Sequence, residues 1–280
     1  MNDQGAASTA DAPVEVRAER LRKSFGDHVV LRDVGVEIRR GQIVALVGAS
    51  GSGKTVLLDI LTGLLRPDAG TVLVADHSRP GTPLLDLFTL GWDALDNVRL
   101  HWAVVFQKNA LFSGTVFDNV ALWLREHTAM TEPEIRTRVH ESLAAVALDV
   151  EDVSRKSRDE LSGGMAKRVA VARAIAVDPA VIFYDEPTTG LDPMISAHVH
   201  ELIRSIHRRP LPDGTARTSI MVTHDIALLR RLRPRVIMLD QAGVGFDGTY
   251  EEFEAQTSGP AHEYQAADRK STRLNSSHRL

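Results

Sequence analysis

The amino-acid sequence predicts an α/β fold with a parallel-sheet core, an antiparallel β subdomain and an inserted helical subdomain. Three observations support this prediction. Residues 14–38 carry antiparallel strand patterns, residues from about 110 to 160 read as helical, and from residue 180 onward strand and helix patterns alternate. Strands that alternate with helices are joined by right-handed crossovers, which make the strands parallel.

The predicted strands near the amino terminus are of two kinds. VEVRAERL, VVL and VGVEI, between Val14 and Ile38, are short segments separated by the pairs GD and RD, which is typical of antiparallel strands. IVALV, from Ile43 to Val47, is apolar throughout and suits a strand covered on both faces. A helix is predicted after it from apolar residues at helical spacing: Val56, Leu57, Ile60 and Leu61.

The later elements follow from similar patterns. TVLVA (71–75) and AVVF (103–106) are predicted strands on either side of a loop-rich stretch that contains SRPGTP. In the helical stretch, Thr131 and Glu134 form a capping-box pattern. One apolar face follows it, made by Ile135, Val139, Leu143 and Val146. Beyond residue 180, strands AVIFYD, TSIMV and RVIML alternate with helices near 196–208 and 226–232.

Composition narrows the class of protein. The chain has 280 residues, 43% hydrophobic and 25% charged, as expected for a globular protein with a substantial core. A formal net charge of −4 argues against nucleic acid as a partner, and the lack of cysteine excludes disulfides. No apolar run reaches the roughly 20 residues that span a bilayer, and MNDQGAASTADAP lacks the features of a signal peptide. We therefore expect a cytoplasmic protein that reaches the membrane only through a partner.

A phosphate-binding loop is predicted between the strand IVALV and the following helix. Gly48, Gly53, Lys54 and Thr55 match the pattern G-x-x-x-x-G-K-[ST]. Successive backbone N–H groups must converge on phosphate oxygens there, and side chains would block that approach. Lys54 is expected to reach the β- and γ-phosphates and Thr55 to ligate Mg²⁺. The nucleotide-contacting residues predicted in this loop are Gly48, Ser50, Gly51, Ser52, Gly53, Lys54 and Thr55.

Two adjacent acids end a buried strand in VIFYDE. Adjacent carboxylates seldom end an apolar strand without a charge partner, because desolvating them is unfavourable. Asp185 is predicted to hold Mg²⁺, and Glu186 to polarise the attacking water. The alternative is an ordinary strand exit with solvated acids, which the nearby phosphate loop disfavours.

The segment LSGGMAKRVAVARAIAVDPAVIFYDEPTTGLDP, from Leu161 to Pro193, resembles the nucleotide-binding subunit of ATP-binding cassette (ABC) transporters. The order of the phosphate loop, FQ, LSGG, DEPTTGLD and VTHD matches that family over about residues 14–254. The resemblance implies a P-loop NTPase (RecA-like) core, ATP and Mg²⁺ as cofactors, and ATP hydrolysis coupled to transport.

The resemblance also implies a partner, because two copies of such a subunit pair head to tail around two ATP molecules. Ser162, Gly163 and Gly164 of one copy would cap the γ-phosphate held by Lys54 of the other, since a helix begins there and its amino terminus attracts anions. Asp192 would line the seam between the copies.

Three further roles come from the same resemblance. Gln107 would reach Mg²⁺ or the attacking water, and His224 would contact the γ-phosphate and hold the water with Glu186. Phe25 would stack on adenine, which needs only a ring face. The alternatives are a surface position for Gln107 and His224 and a core position for Phe25.

The subgroup resemblance points to lipid cargo. Met165 stands where most of the family has glutamine, and ALFSGTVFDNVALWLREHT, from Ala110 to Thr128, resembles the ATPases of MCE-type (Mla-like) phospholipid transporters. The implied partners are an integral-membrane permease and an MCE-domain lipid-binding protein. Three features differ from that subgroup. Asp118 stands where the subgroup usually has glutamate, and LWLREH lacks a proline that is expected there. SRDELSGG lacks the tyrosine and proline that usually precede LSGG. The alternatives are an importer of a polar solute such as an amino acid and a soluble ABC ATPase of translation or DNA repair.

The predicted permease contact is an apolar groove in the helical subdomain. For Phe112 and Phe117, packing inside the helical subdomain is an equally favoured alternative to contact with the permease. The groove residues are Leu111, Phe112, Val116 and Phe117, near Asp118 and Arg125. Trp92, Trp102 and Trp123 belong to no motif and are predicted to pack in the core.

The predicted organisation is a disordered lead-in at 1–13, an ATP-binding domain at 14–256 with its helical subdomain at about 110–165, and a tail at 257–280. DRKSTRLNSSH, residues 268–278, resembles the translation of a sequencing-library adapter, so we expect the natural sequence to be interrupted after about Ala267 and its genuine C-terminal end to be missing. The alternative is a disordered basic tail.

Overall fold

A computed structural model describes residues 12–211 and 214–266 in two compact units. The first unit contains residues 12–75, 83–89 and 220–266, and the second contains 76–82, 90–211 and 214–219. The suspected adapter segment, and all but two residues of the predicted lead-in, lie outside the described residues.

The helices and strands are numbered in chain order. They are β1 (Val14–Phe25), β2 (His28–Arg39), β3 (Ile43–Val47), α1 (Lys54–Leu61), β4 (Ala69–Val74), β5 (Leu85–Asp86), α2 (Trp92–Arg99), β6 (Trp102–Val105), α3 (Val116–His127), α4 (Glu132–Ala145), α5 (Val150–Val153), α6 (Gly163–Ala176), β7 (Val181–Asp185), α7 (Pro193–Arg208), β8 (Thr218–Val222), α8 (Ile226–Leu232), β9 (Arg235–Asp240), β10 (Gly243–Gly248) and α9 (Tyr250–Glu254).

The first unit contains the predicted antiparallel subdomain and part of the parallel core. Its antiparallel sheet has the strand order β2-β1-β4-β5. In its other sheet, β9 lies between β10 and β3, antiparallel to β10 and parallel to β3, and β8 follows β3. Val44, Ala45, Leu46 and Val47 are fully buried, which explains why β3 is apolar throughout. The predicted α/β class is confirmed.

The second unit contains the predicted helical segment and two parallel strands. Val105 of β6 lies opposite Tyr184 of β7, so both strands end at the same edge. Helices α3, α4 and α6 pack against one another. The predicted face of α4 is buried, and its capping box forms, with the Thr131 N–H donating to the Glu134 carboxylate over 2.7 Å.

Some elements differ from the predictions. The stretch predicted as loop-rich contains α2, and β10 and α9 had no predicted counterpart. Trp92 was predicted to lie in the core, but it is 81% exposed. The reason is that α2 buries only Val98, near its other end, so its first turn stays in solvent. Trp102 is buried as predicted, whereas Trp123 is half-buried and stacks on His127 at a 3.8 Å centroid separation.

The beginning of the predicted tail is ordered into the first unit. Residues 259–266 are helical, Ala261 and Gln265 are buried, and the Gln265 amide donates to the Phe253 carbonyl. Across the described residues, no helix has both the length and the apolar character needed to cross a membrane.

We expect the stability of the protein to fall between pH 7 and pH 5 in part because of His207. Burial, and then the charges of Arg217 and Arg208, lower the pKa of His207 to about 4. In the unfolded chain the pKa of histidine is about 6.5. On acidification from pH 7 to pH 5 the unfolded state therefore binds a proton at this residue, whereas the native state binds it only near pH 4, and this difference favours unfolding. This group alone should therefore lower the free energy of unfolding at pH 5 by about 2 kcal/mol relative to pH 7.

The measurement is urea unfolding of wild type and His207→Gln at the two pH values. The variant should lose about 2 kcal/mol less than wild type on acidification, because its side chain does not titrate. His198→Gln, at an exposed position of the same helix, is the control and should keep the wild-type pH dependence. Equal pH dependence in His207→Gln and wild type would contradict the prediction.

Candidate nucleotide-binding site

The predicted phosphate loop connects β3 to α1 in the first unit. Gly48 and Gly53 have φ angles of 142° and 95°, which side-chain-bearing residues rarely adopt. A Cβ at Gly48 would lie 2.4 Å from the Leu239 carbonyl oxygen, and one at Gly53 would lie 2.9 Å from Val30 Cγ1. Both positions therefore require glycine.

The amino terminus of α1 is suited to an anion. Its N-cap, Gly53, provides no side-chain hydrogen bond, and its first turn contains no acid. In contrast, Thr115, Ser162 and Asp192 cap α3, α6 and α7 through their side chains. Gly53 thus provides no side-chain cap for the N–H groups at the start of α1, and a phosphate is a suitable acceptor for them.

Two polar side chains of the loop fit a polyphosphate. The Lys54 ammonium donates to the carbonyl oxygens of Gly48 and Ala49 over 2.9 and 2.8 Å, so it lies against the loop backbone. The Ser52 hydroxyl is buried and has no hydrogen-bond partner among the described residues. A buried hydroxyl normally has one, and a phosphate oxygen would supply it. Ser50, Gly51 and Thr55 are exposed on the same loop.

Phe25 and His224 also belong to the first unit. Phe25 ends β1 with its side chain 52% exposed, and the Lys23 ammonium lies 5.5 Å from its ring centroid. That exposure excludes the core alternative for Phe25 and leaves a ring face open. His224 is exposed two residues after β8, directly before Asp225, whose carboxylate caps α8 by accepting from the Leu228 N–H.

The second unit brings three predicted site residues to one edge of its sheet. Gln107 follows β6, Asp185 ends β7, the parallel neighbour of β6, and Glu186 comes directly after it. Glu186 has a φ of 47°, an unfavourable left-handed conformation for a residue with a side chain. Its carboxylate accepts a hydrogen bond from the Thr189 hydroxyl over 3.1 Å. A strained backbone at a candidate catalytic carboxylate is typical of functional sites.

The LSGG segment forms the amino terminus of α6. Ser162 caps the helix, with its Oγ accepting from the Met165 N–H over 3.2 Å, and Gly163 is exposed beside it. A Cβ at Gly164 would lie 2.7 Å from Ile195 Cδ1, so a larger residue there would displace the Ile195 side chain at the contact of α6 with α7. Asp192 is exposed at the start of α7, which it caps by accepting from two backbone N–H groups at 3.0 Å each.

Lys167 is a residue that the sequence interpretation missed. It lies on α6, is only 2% exposed, and donates to the carbonyl oxygens of Phe106 and Gln107 over 3.0 Å each. Burial lowers its pKa, and the charges of Asp185 and Glu186 oppose that shift. The available signal was a lysine among the apolar residues of this helix, three and four residues before the buried Ala170 and Val171.

The predicted permease groove is only partly exposed. Leu111 and Val116 are buried, which favours the packing alternative for both. Phe112 is 53% exposed, and the Arg173 guanidinium carbon lies 5.3 Å from its ring centroid. Phe117 is half-buried, so of the four apolar residues only Phe112 presents a large surface to solvent.

The two charged residues predicted near that groove are engaged with each other and with helix ends. The Asp118 carboxylate accepts from the Thr115 hydroxyl over 2.6 Å, which is the main reason that its pKa is lowered. Arg125 lies 3.5 Å from Asp118 and pairs with Glu132 over 2.7 Å. These pairs connect the start of α3 to its end and to the start of α4.

The chain is similar in sequence to known proteins. A family model described as "ABC transporter" matches residues 31–189. The chain is 35% identical over 260 residues to the Arabidopsis thaliana protein TRIGALACTOSYLDIACYLGLYCEROL 3, chloroplastic, covering 89% of this chain and 72% of that one. It is 39% identical over 239 residues to the probable ribonucleotide transport ATP-binding protein mkl of Mycobacterium tuberculosis H37Rv, covering 84% of this chain and only 62% of mkl.

A third relative and a solved structure match over nearly their whole length. The histidine transport ATP-binding protein HisP of Pseudomonas aeruginosa is 34% identical over 260 residues, covering 91% of this chain and 99% of HisP. The dimeric post-hydrolysis structure of the ATP-binding cassette MJ0796, bound to ADP and Pi, is similar with a TM-score of 0.72 and 30% identity, covering 84% of this chain and 98% of the other.

Proposed function

This chain belongs to the ABC transporter family of ATP-binding, ATP-hydrolysing cassettes, and from that premise we propose that two copies sandwich two ATP molecules and drive a membrane permease that moves phospholipid. The phosphate loop carries the proposal. Its obligatory glycines, uncapped helix terminus and buried Ser52 hydroxyl together suit a bound polyphosphate. The dimeric structure of the similar cassette supports the pairing of two copies.

In this proposal ATP lies in the phosphate loop with Mg²⁺ beside it. Loop residues 48–55 hold the phosphates, and the Thr55 hydroxyl, the Gln107 amide and the Asp185 carboxylate are the proposed protein ligands of Mg²⁺. Within the described residues no group of three or more His, Asp or Glu side chains forms a metal site. Mg²⁺ usually takes one or two carboxylates together with water and substrate phosphates. The ion would neutralise developing charge on the phosphates.

The other proposed site residues bind the nucleotide, activate the attacking water or lie at the contact with the second copy. The Phe25 ring stacks on adenine, and His224 contacts the γ-phosphate. Glu186 polarises the water that attacks that phosphate, as a general base. Ser162, with the glycines that follow it, donates to the γ-phosphate held by the partner copy, and Asp192 lies at the seam between the copies.

One observation supports a lipid cargo, and a second supports phospholipid in particular. The Arabidopsis relative takes its name from a galactosylated glycerolipid, and Met165 with residues 110–128 resembles the MCE-type subgroup of phospholipid transporters. In this proposal Phe112 contacts the permease, and an MCE-domain protein belongs to the assembly. The second candidate is an importer of a polar solute, which the similarity to HisP favours.

The two cargo proposals are separated by isolating the assembly from its native membrane in mild detergent and identifying the bound proteins and lipids by mass spectrometry. A permease with an MCE-domain protein and phospholipid would support lipid transport. A permease with a solute-binding protein would favour the importer, and ribosomes or DNA would contradict both.

Mixing two inactive variants should restore activity if the sites are shared between copies. We expect Ser162→Ala to bind ATP as monomeric wild type does but to hydrolyse it slowly, because its partner lies in the other copy. In an equal mixture with Lys54→Ala, half of the dimers would be mixed and would keep one intact site, giving about a quarter of the wild-type rate. The measurement is steady-state ATPase activity. No recovery in a mixture that forms mixed dimers would rule out the shared site.

A further inference from the structure

Lys167 is a buried cation whose contacts are unusual for a lysine. Its ammonium group donates to two consecutive backbone carbonyls, those of Phe106 and Gln107, each over 3.0 Å. These carbonyls belong to the segment that follows β6, and Lys167 belongs to α6, about 60 residues later in the chain. The side chain therefore connects the LSGG helix to the Gln107 segment.

The position of Lys167 is energetically demanding, which argues against simple packing. Removing an ammonium group from water is unfavourable unless hydrogen bonds and opposite charges replace the solvent. Here two of its three N–H groups have carbonyl acceptors, and the carboxylates of Asp185 and Glu186 act on it electrostatically. A leucine or methionine would fill the same volume without this requirement.

Three of the four residues that act on Lys167 are also parts of the proposed reaction centre in this unit. Gln107 follows β6, Asp185 ends the neighbouring β7, and Glu186 comes directly after Asp185. Lys167 also lies close to the LSGG segment. Helix α6 begins at Gly163, four residues before Lys167 and therefore about one helical turn away. A displacement of the LSGG end would move Lys167 with the helix.

We infer that Lys167 is a positioning residue that holds the Phe106–Gln107 backbone against the LSGG helix and thereby places the Gln107 side chain. The inference rests on the proposed role of Gln107 in hydrolysis. When the LSGG segment contacts ATP held by the second copy, α6 moves and Lys167 moves with it. The hydrogen bonds of Lys167 then shift the Gln107 segment, which lies at the same sheet edge as the two carboxylates. ATP binding to the phosphate loop of the same chain does not require it.

The first test measures backbone protection without nucleotide. Lys167→Met keeps the length of the side chain and removes every donor, whereas Lys167→Gln keeps a neutral donor. Lys156→Met is the matched control, because Lys156 pairs with Asp152 in an exposed i,i+4 pair. We expect hydrogen exchange of residues 106–112 to accelerate about tenfold in Lys167→Met, less in Lys167→Gln, and not in the control. Unchanged exchange in a folded Lys167→Met would overturn the inference.

The second test asks whether Lys167 acts through Gln107. We expect Lys167→Met to lower kcat about tenfold and to leave the affinity for ATP within about twofold, a split that general destabilisation would not produce. Gln107→Ala should lower kcat as well, and the double variant should be no slower than the slower single variant, because the second change removes nothing further. Multiplicative effects would overturn the inference, as would equal kcat in Lys167→Met and the control.

The two tests separate this inference from the proposed function. If Lys167→Met does not fold, Lys167→Gln carries both measurements, with smaller expected changes in the same direction. If wild type hydrolyses no ATP, the proposed function fails, while the exchange experiment still decides whether Lys167 holds the Gln107 segment.

Discussion

Glu186→Gln is expected to slow ATP hydrolysis by a factor of about 10² to 10⁴ while ATP binding persists, which is the usual contribution of a general base. The substitution keeps the size of the side chain and its contact with the Thr189 hydroxyl, but an amide does not accept the proton of the attacking water. Because hydrolysis would no longer separate the two copies, a nucleotide-bound dimer should accumulate. The measurements are single-turnover hydrolysis and size-exclusion chromatography with and without ATP.

The control for this variant is Glu141→Gln, which changes an exposed carboxylate on α4 in the same unit. It should hydrolyse ATP at the wild-type rate and form no stable dimer. Near-normal turnover in Glu186→Gln would exclude Glu186 as the base, and the strained φ of 47° would then need another explanation.

Lys54→Ala should weaken ATP binding by about 10- to 100-fold, since a hydrogen bond to a charged group contributes roughly 1.5–3 kcal/mol. In the structure the ammonium donates to the Gly48 and Ala49 carbonyls, and we expect it to donate to phosphate oxygens when ATP is bound. The variant loses that donor and the positive charge together. Titration with a fluorescent ATP analogue, before any hydrolysis, measures the change in affinity.

Lys156→Ala removes a surface lysine in the other unit and is the control for charge alone; its affinity for ATP should equal that of wild type. Thermal unfolding of Lys54→Ala without nucleotide tests whether the loop contacts matter for folding. An unaltered affinity for ATP in Lys54→Ala would contradict the assignment of residues 48–55 as a phosphate loop.

Much of the fold was predictable because its signals are local. The apolar run of β3, the capping box of α4 and the strand β8 were predicted at or near their observed bounds. The missed strand β10 has a weak local signal. β10 has the sequence GVGFDG, in which three glycines disfavour a strand, and it forms because β9 provides a pairing edge, with Phe246 opposite Met238.

The conformation of the predicted phosphate loop was determined by the sequence alone, because its residues are contiguous and glycine is required at positions such as Gly48 and Gly53. Only the tertiary structure decided which side chains are buried and which meet. It exposed Trp92, imposed a left-handed conformation on Glu186, and buried Lys167 against carbonyls about 60 residues away in the chain. Such contacts depend on strand pairing and helix packing between distant segments, and no local pattern of residues specifies them.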